Sequence, residues 1–78
     1  MPVYEQLKNT DVGLPGKRGT NYDIYVVGDP INNRLPPDRL ANVRGTNEYY
    51  YSPYHYKPGP NVPYIWIKLT YPAPRKEQ

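Results

Sequence analysis

The run Val62-Pro63-Tyr64-Ile65-Trp66-Ile67-Lys68-Leu69-Thr70-Tyr71 constrains this chain more than any other. It joins β-branched and aromatic residues in period-2 alternation over the length of a full strand. Ile65, Ile67, Leu69 and Tyr71 fall on one face, and Tyr64, Trp66, Lys68 and Thr70 on the other. The first face is apolar enough to be expected against a core. The second, which mixes two rings with polar groups, is expected at a half-wet surface or an interface.

The rest of the chain offers little to pack against that strand. Its 78 residues make one small domain at most. Six Val, four Ile and five Leu are its only large aliphatics, with no Phe. Ten Tyr and one Trp supply area that the aliphatics lack, each Tyr being an apolar plate with a polar tip that wants a partner. For chains this short, burial roughly balances ordering entropy. There is no Cys to form a disulfide, and one His with scattered carboxylates gives no metal cluster. The expectation is therefore a subunit that gains stability by docking on other chains, in a homo- or hetero-oligomer.

Taken in order, Met1–Lys8 carries Val3, Tyr4 and Leu7, enough for an edge strand or an anchoring turn. Gly13-Leu14-Pro15-Gly16-Lys17-Arg18-Gly19 places Gly at every third position with Pro in the Y slot, the pattern of collagen. These seven residues resemble the short collagen-like tracts of phage fibre and tail proteins. Two triplets cannot sustain a triple helix, so a loop with tight turns is expected. Tyr22–Val27 reads as a strand with Tyr22, Ile24 and Val26 on one face and Asp23, Tyr25 and Val27 on the other. It ends at Gly28-Asp29-Pro30. Ile31–Leu35 is polar and irregular. Pro36–Gly45 suggests one or two helical turns, with proline at the first position, Asp38 at the positive end and Gly45 as left-handed cap. Leu40 and Val43, with Leu35 joining, would form its buried stripe.

Arg18-Gly19-Thr20-Asn21 recurs as Arg44-Gly45-Thr46-Asn47, each copy leading into a Tyr-containing strand. The shared content is a turn in which Gly accepts positive φ and Thr or Asn bonds nearby backbone. Tyr49–Tyr56, interrupted by Pro53, is expected to pair with Val62–Tyr71 as an antiparallel hairpin whose connection is Lys57–Asn61. The expected fold is thus mainly β: a small antiparallel sheet or hairpin-based domain with long Pro/Gly-rich irregular segments and at most one short helical turn. Residues 1–21 would form an N-terminal arm and loop, 22–71 the β-rich domain, and 72–78 a Pro-rich charged tail.

Chemistry is sparse. Ser52 and His55 are the only Ser and His, and Pro53 between them opposes a shared helical face, so a nucleophile–base pair is not expected. Gly13, Gly16 and Gly19 lack phosphate-loop spacing. No enzyme activity and no cofactor or metal is expected. No run approaches a bilayer span, and the N-terminus has no signal-peptide pattern. Charge is uneven: from Tyr49 to Lys76 the charged residues are Lys57, Lys68, Arg75 and Lys76, all basic and candidates for anion contact.

The leading expectation is a non-enzymatic assembly subunit of a multi-protein particle, in the role of virion decoration, capsid stabilisation or tail adaptor. It would then reside in a virion, or otherwise in the cytoplasm. Tyr49, Tyr50, Tyr51, Tyr54, Tyr56, Tyr64 and Trp66 are the expected interface, since rigid rings bury area at low entropy cost. One alternative is a nucleic-acid-binding module that stacks bases on the same rings. Another is a carbohydrate- or surface-binding module.

Overall fold

In the computed structural model, described over residues 2–70, five strands form one antiparallel sheet. They are β1 (Glu5–Lys8), β2 (Asn21–Val26), β3 (Arg39–Val43), β4 (Tyr49–Ser52) and β5 (Ile67–Leu69). Each pairs with the next in sequence, giving the order β1-β2-β3-β4-β5. One 3-10 turn, Asn9–Asp11, follows β1. The mainly β architecture and the edge strand near the N-terminus agree with expectation.

Register divides the sheet into two faces. Leu7, Tyr22 and Val43 align across β1–β3, and Glu5, Ile24, Ala41, Tyr50 and Lys68 align across all five strands. These rows share one face, as the alternation of β2 predicts. Two loops rather than a helix cover it. Residues 9–20 bring Val12 and Leu14 down onto Tyr22, Ile24 and Ala41 to make the buried core. Residues 53–66 lay Tyr56 and Trp66 against the same cluster. A ring edge also closes it, with Tyr22 and Tyr50 centroids 6.2 Å apart at 64°.

The glycine tract is a set of tight turns. Gly13, Gly16 and Gly19 have φ of 68°, 117° and 92°, opposite in sign to the polyproline-II value. Buried Asn9 holds the tract in shape. Its Nδ2 donates to the Gly16 carbonyl (2.9 Å), and its Oδ1 accepts from the amides of Gly19 (3.0 Å) and Thr20 (3.2 Å).

Three expectations are overturned. Pro36–Gly45 is not helical: Arg39–Val43 is the central strand. Its Ala41 and Val43 continue the rows of Ile24 and Tyr22, so sheet pairing overrides the capping signals. Leu40 lies on the opposite face from Val43, and Leu35 is 47% exposed. Second, of the run 62–71 the described part, residues 62–70, yields only Ile67–Leu69 as strand. Third, within that run the inward residue is Trp66, whose Nε1 donates to the Val12 carbonyl (2.8 Å), whereas Ile67 is 51% exposed. The indole offers more area than an Ile together with a donor, and its seating fixes the strand's rotation. The hairpin of β4 with β5 does form, but its connection is residues 53–66 rather than 57–61. Tyr71 lies outside the described residues.

Ile31–Leu35 holds a tight hairpin. The Ile31 and Arg34 amides and carbonyls exchange hydrogen bonds of 2.9 and 3.0 Å, with Asn32 and Asn33 both at positive φ, the geometry of a two-residue type I′ turn.

Candidate docking surface

The second face of the sheet has two rows. Gln6, Asp23, Asn42, Tyr49 and Leu69 make one; Tyr25, Leu40, Tyr51 and Ile67 make the other. Only Asn42 is buried on this face, at 8% exposure. Its amide is turned to the hairpin end, donating to the carbonyls of Thr46 (2.9 Å) and Glu48 (3.0 Å). None of Tyr25, Leu40, Tyr51 and Ile67 belongs to the core cluster that residues 9–20 and 53–66 build on the other side; the first three are half-buried and Ile67 is exposed. The row is a continuous apolar stripe across four strands, rimmed by the ion pair Arg44–Asp23 (3.1 Å).

The side chains on the stripe are held in place. Tyr51 Oη donates to the Asp38 carboxylate, a bond that raises the Tyr51 pKa above its ordinary value. Such anchoring lowers the ordering cost of using the ring as a contact plate.

The seven rings expected at an interface are split three ways. Tyr49 and Tyr51 lie on the open face. Tyr50, Tyr56 and Trp66 pack against the core cluster, with Tyr56 and Trp66 centroids 5.6 Å apart. Tyr54 and Tyr64 sit on the 53–66 loop, 47% and 39% exposed. Tyr64 is covered on one side by Lys57, whose Nζ lies 4.7 Å from its centroid. Lys68 is exposed in β5; Arg75 and Lys76 lie outside the described residues. Tyr25, Val27 and Leu40 complete the open face without having been singled out for contact. The alternation of Tyr22–Val27 was the available signal for the first two, while the helical reading of 36–45 concealed Leu40.

The 53–66 loop has a strained corner. His55 and Tyr56 both have positive φ, 56° and 86°, uncommon for residues bearing a Cβ. Three bonds hold them: the His55 amide to the Pro37 carbonyl (2.8 Å), the Ile65 amide to the Tyr56 carbonyl (2.9 Å), and Tyr56 Oη to the Glu5 carboxylate. Burial first, then the Glu5 bond and charge, push the Tyr56 pKa upward. His55 is shifted downward by burial and by the nearby Arg39.

Arg39 went unremarked in the sequence, yet it is 2% exposed. Its Nη1 donates to the carbonyls of Pro36 and Asp38, its guanidinium carbon lies 5.0 Å from the Tyr4 ring centroid, and its Nε has no partner. Its charge is met by carbonyl dipoles and a ring face, which suits a guanidinium better than an ammonium.

Ser52 is fully buried, its Oγ 3.4 Å from the Tyr54 amide. Among the described residues no three His, Cys, Asp or Glu could share a metal ion, and no helix is long and apolar enough to cross a membrane. Comparison with protein-family models, with curated proteins and with solved structures finds no match.

Proposed function

We propose that this chain is a non-enzymatic assembly subunit, docking through its open sheet face on neighbouring chains of a multi-protein particle such as a virion. The observation that carries this reading is the stripe Tyr25–Leu40–Tyr51–Ile67. Two loops pack the core against one face of the sheet, and the opposite face carries a row of apolar side chains that lie outside that core and are half-buried or exposed. Of the nine tyrosines in residues 2–70, only Tyr22 is buried. Tyr4, Tyr54 and Tyr64 are exposed and the other five are half-buried, so part of the ring area stands at the surface, where it serves contact better than solubility. The Gly-X-Y tract, folded as local turns, lends no support to a fibre role.

Nucleic-acid binding draws on the same rings, but its best exposed plate with a neighbouring cation, Tyr64, has Lys57 over one ring face. The reading is tested by sedimentation of the full chain across a wide concentration range, beside Leu40→Lys. A concentration-dependent oligomer that Leu40→Lys returns to monomer, with its circular dichroism retained, is expected. A cooperative monomer at every concentration, indifferent to Leu40→Lys, would sink it.

A further inference from the structure

A second apolar region lies away from the open face. Val3 and Tyr4, just before β1, together with Val26 and Leu35 line a groove of about 510 Å³ in which Asp29 is the one charged lining residue among the described residues. Val3, Tyr4 and Leu35 are 41%, 45% and 47% exposed. Its floor is firm. The Tyr4 amide is bonded to the Ile24 carbonyl at 2.7 Å, and the Tyr4 ring rests on the buried Arg39 guanidinium. Asp29 makes no ion pair among the described residues.

We propose that this groove receives residues 71–76 of a second copy of the chain. The inference rests on the assembly reading and names one of its contacts. Tyr71-Pro72-Ala73-Pro74-Arg75-Lys76 has the chemistry that the groove calls for. Proline-rich segments fit grooves floored by an aromatic ring at small entropic cost, and Arg75 and Lys76 follow the prolines closely enough to meet Asp29.

Ladder geometry argues for exchange between copies. Leu69 is level with Asp23, on the strand three places from β2. With strands about 4.8 Å apart and residues rising about 3.3 Å, Leu69 lies roughly 17 Å from Val26 and 20 Å from Tyr4. β5 also runs away from the groove, since Ile67 to Leu69 follows Tyr51 to Tyr49. One residue farther in the direction of β5, Thr70 stands roughly 20 Å from Val26, and the four residues after it span at most about 14 Å, so the prolines of the same chain fall short. A neighbouring copy meets no such limit.

The chain has no Cys, which makes crosslinking clean. Full-length chain carrying both Leu35→Cys and Ala73→Cys is oxidised and resolved on a non-reducing gel, with the bridged peptides identified by mass spectrometry. Covalent dimers and higher ladders bridged between positions 35 and 73 of separate chains are expected. Adding Asp29→Lys should lower their yield about fivefold, and adding Arg75→Glu to that variant should restore it. An intramolecular bridge, or no 35–73 bridge at all, overturns the inference. If sedimentation still shows an oligomer sensitive to Leu40→Lys, the assembly reading survives that failure. A monomer in sedimentation removes both.

Discussion

Trp66 Nε1 donates to the carbonyl of Val12 at 2.8 Å, joining residues 54 positions apart. This bond pins the 53–66 loop to the 9–20 loop, and the two together seal one face of the sheet. Trp66→Phe keeps a ring but leaves the Val12 carbonyl without its donor, at a cost of roughly 1–3 kcal/mol. The unfolding free energy is expected to fall by that amount, read as a lower denaturant midpoint with an unchanged m-value. An unaltered midpoint would show that ring packing alone seats the loop.

Gly13 sits directly beneath Tyr64. A Cβ placed on it would stand 2.6–2.8 Å from Tyr64 Cδ2, Cβ and Cγ, and its φ is 68°. Gly13→Ala therefore meets both a clash and backbone strain, the strain alone being on the order of 1 kcal/mol or more. Tyr64→Ala removes Cγ and Cδ2 but keeps the Cβ at 2.8 Å, so it should relieve part of the clash and leave the strain, and the two substitutions together are expected to cost somewhat less than the sum of each alone. A double-mutant cycle on chemical denaturation measures this coupling, and strict additivity would refute the contact.

Thr20 and Thr46 make matching bonds. Each sends its amide and its Oγ1 to the carbonyl three residues back. Thr20 bonds Lys17 at 3.0 and 2.6 Å, and Thr46 bonds Val43 at 3.0 and 2.8 Å. The preceding glycines, Gly19 and Gly45, have φ of 92° and 82°. The repeated Arg-Gly-Thr-Asn is therefore one turn used twice, before β2 and before β4. Thr20→Val and Thr46→Val should each lower stability by about 0.5–1.5 kcal/mol, and by similar amounts. Equilibrium denaturation of the two variants compares them, and a loss at only one site would mean the turns are not equivalent in energy.

How much of this was legible in the residues follows from the physics of each segment. Tyr22–Val27 reads correctly because its alternation is local: Tyr22 and Ile24 are inward and buried, with Tyr25 outward. The turn before it reads correctly because Gly and Thr act within four residues. Arg39–Val43 misleads because proline, Asp38 and Gly45 imitate helix caps, while the force that decides its state is pairing on both sides, with β2 and β4. The rotation of β5 was hidden for a similar reason: it depends on the Val12 carbonyl, far away in sequence. Arg39 could not be marked as buried, since its partners are backbone carbonyls and a Tyr ring rather than a carboxylate with a recognisable spacing.

Arg39 also sets the electrostatics of the strained corner. It is buried and depresses His55 together with the stronger effect of burial. Arg39→Met removes the charge while keeping most of the volume, so the His55 pKa should rise toward its ordinary value and stop short of it. Titration of the imidazole proton resonances reads this directly. Arg39→Met also leaves the Pro36 carbonyl without its donor and removes the cation from the Tyr4 ring, so the thermal midpoint should fall, the orphaned carbonyl alone costing on the order of 1–3 kcal/mol. An unmoved His55 pKa would show that the Arg39 charge is screened by its carbonyls.

Alkaline pH should unfold the chain through its inward tyrosines. Tyr22, bonded to the Pro15 carbonyl at 2.9 Å, has its pKa pushed up from 10.0 to about 12 by burial and by Tyr50 and Glu48. Tyr56 is also raised, by burial and by its bond to Glu5. In both, the folded state favours the neutral phenol more than the unfolded chain does. The stability they contribute is complete below the unfolded value near 10.0 and is lost as pH climbs through the folded value. Denaturation midpoints should therefore hold up to about pH 10 and fall steeply toward pH 12. Tyr22→Phe removes one titrating group, so its midpoint should start lower at neutral pH and decline less between those limits. A wild-type profile that stays level to pH 12, or a decline identical in Tyr22→Phe, would rule out Tyr22 as a source of the alkaline instability.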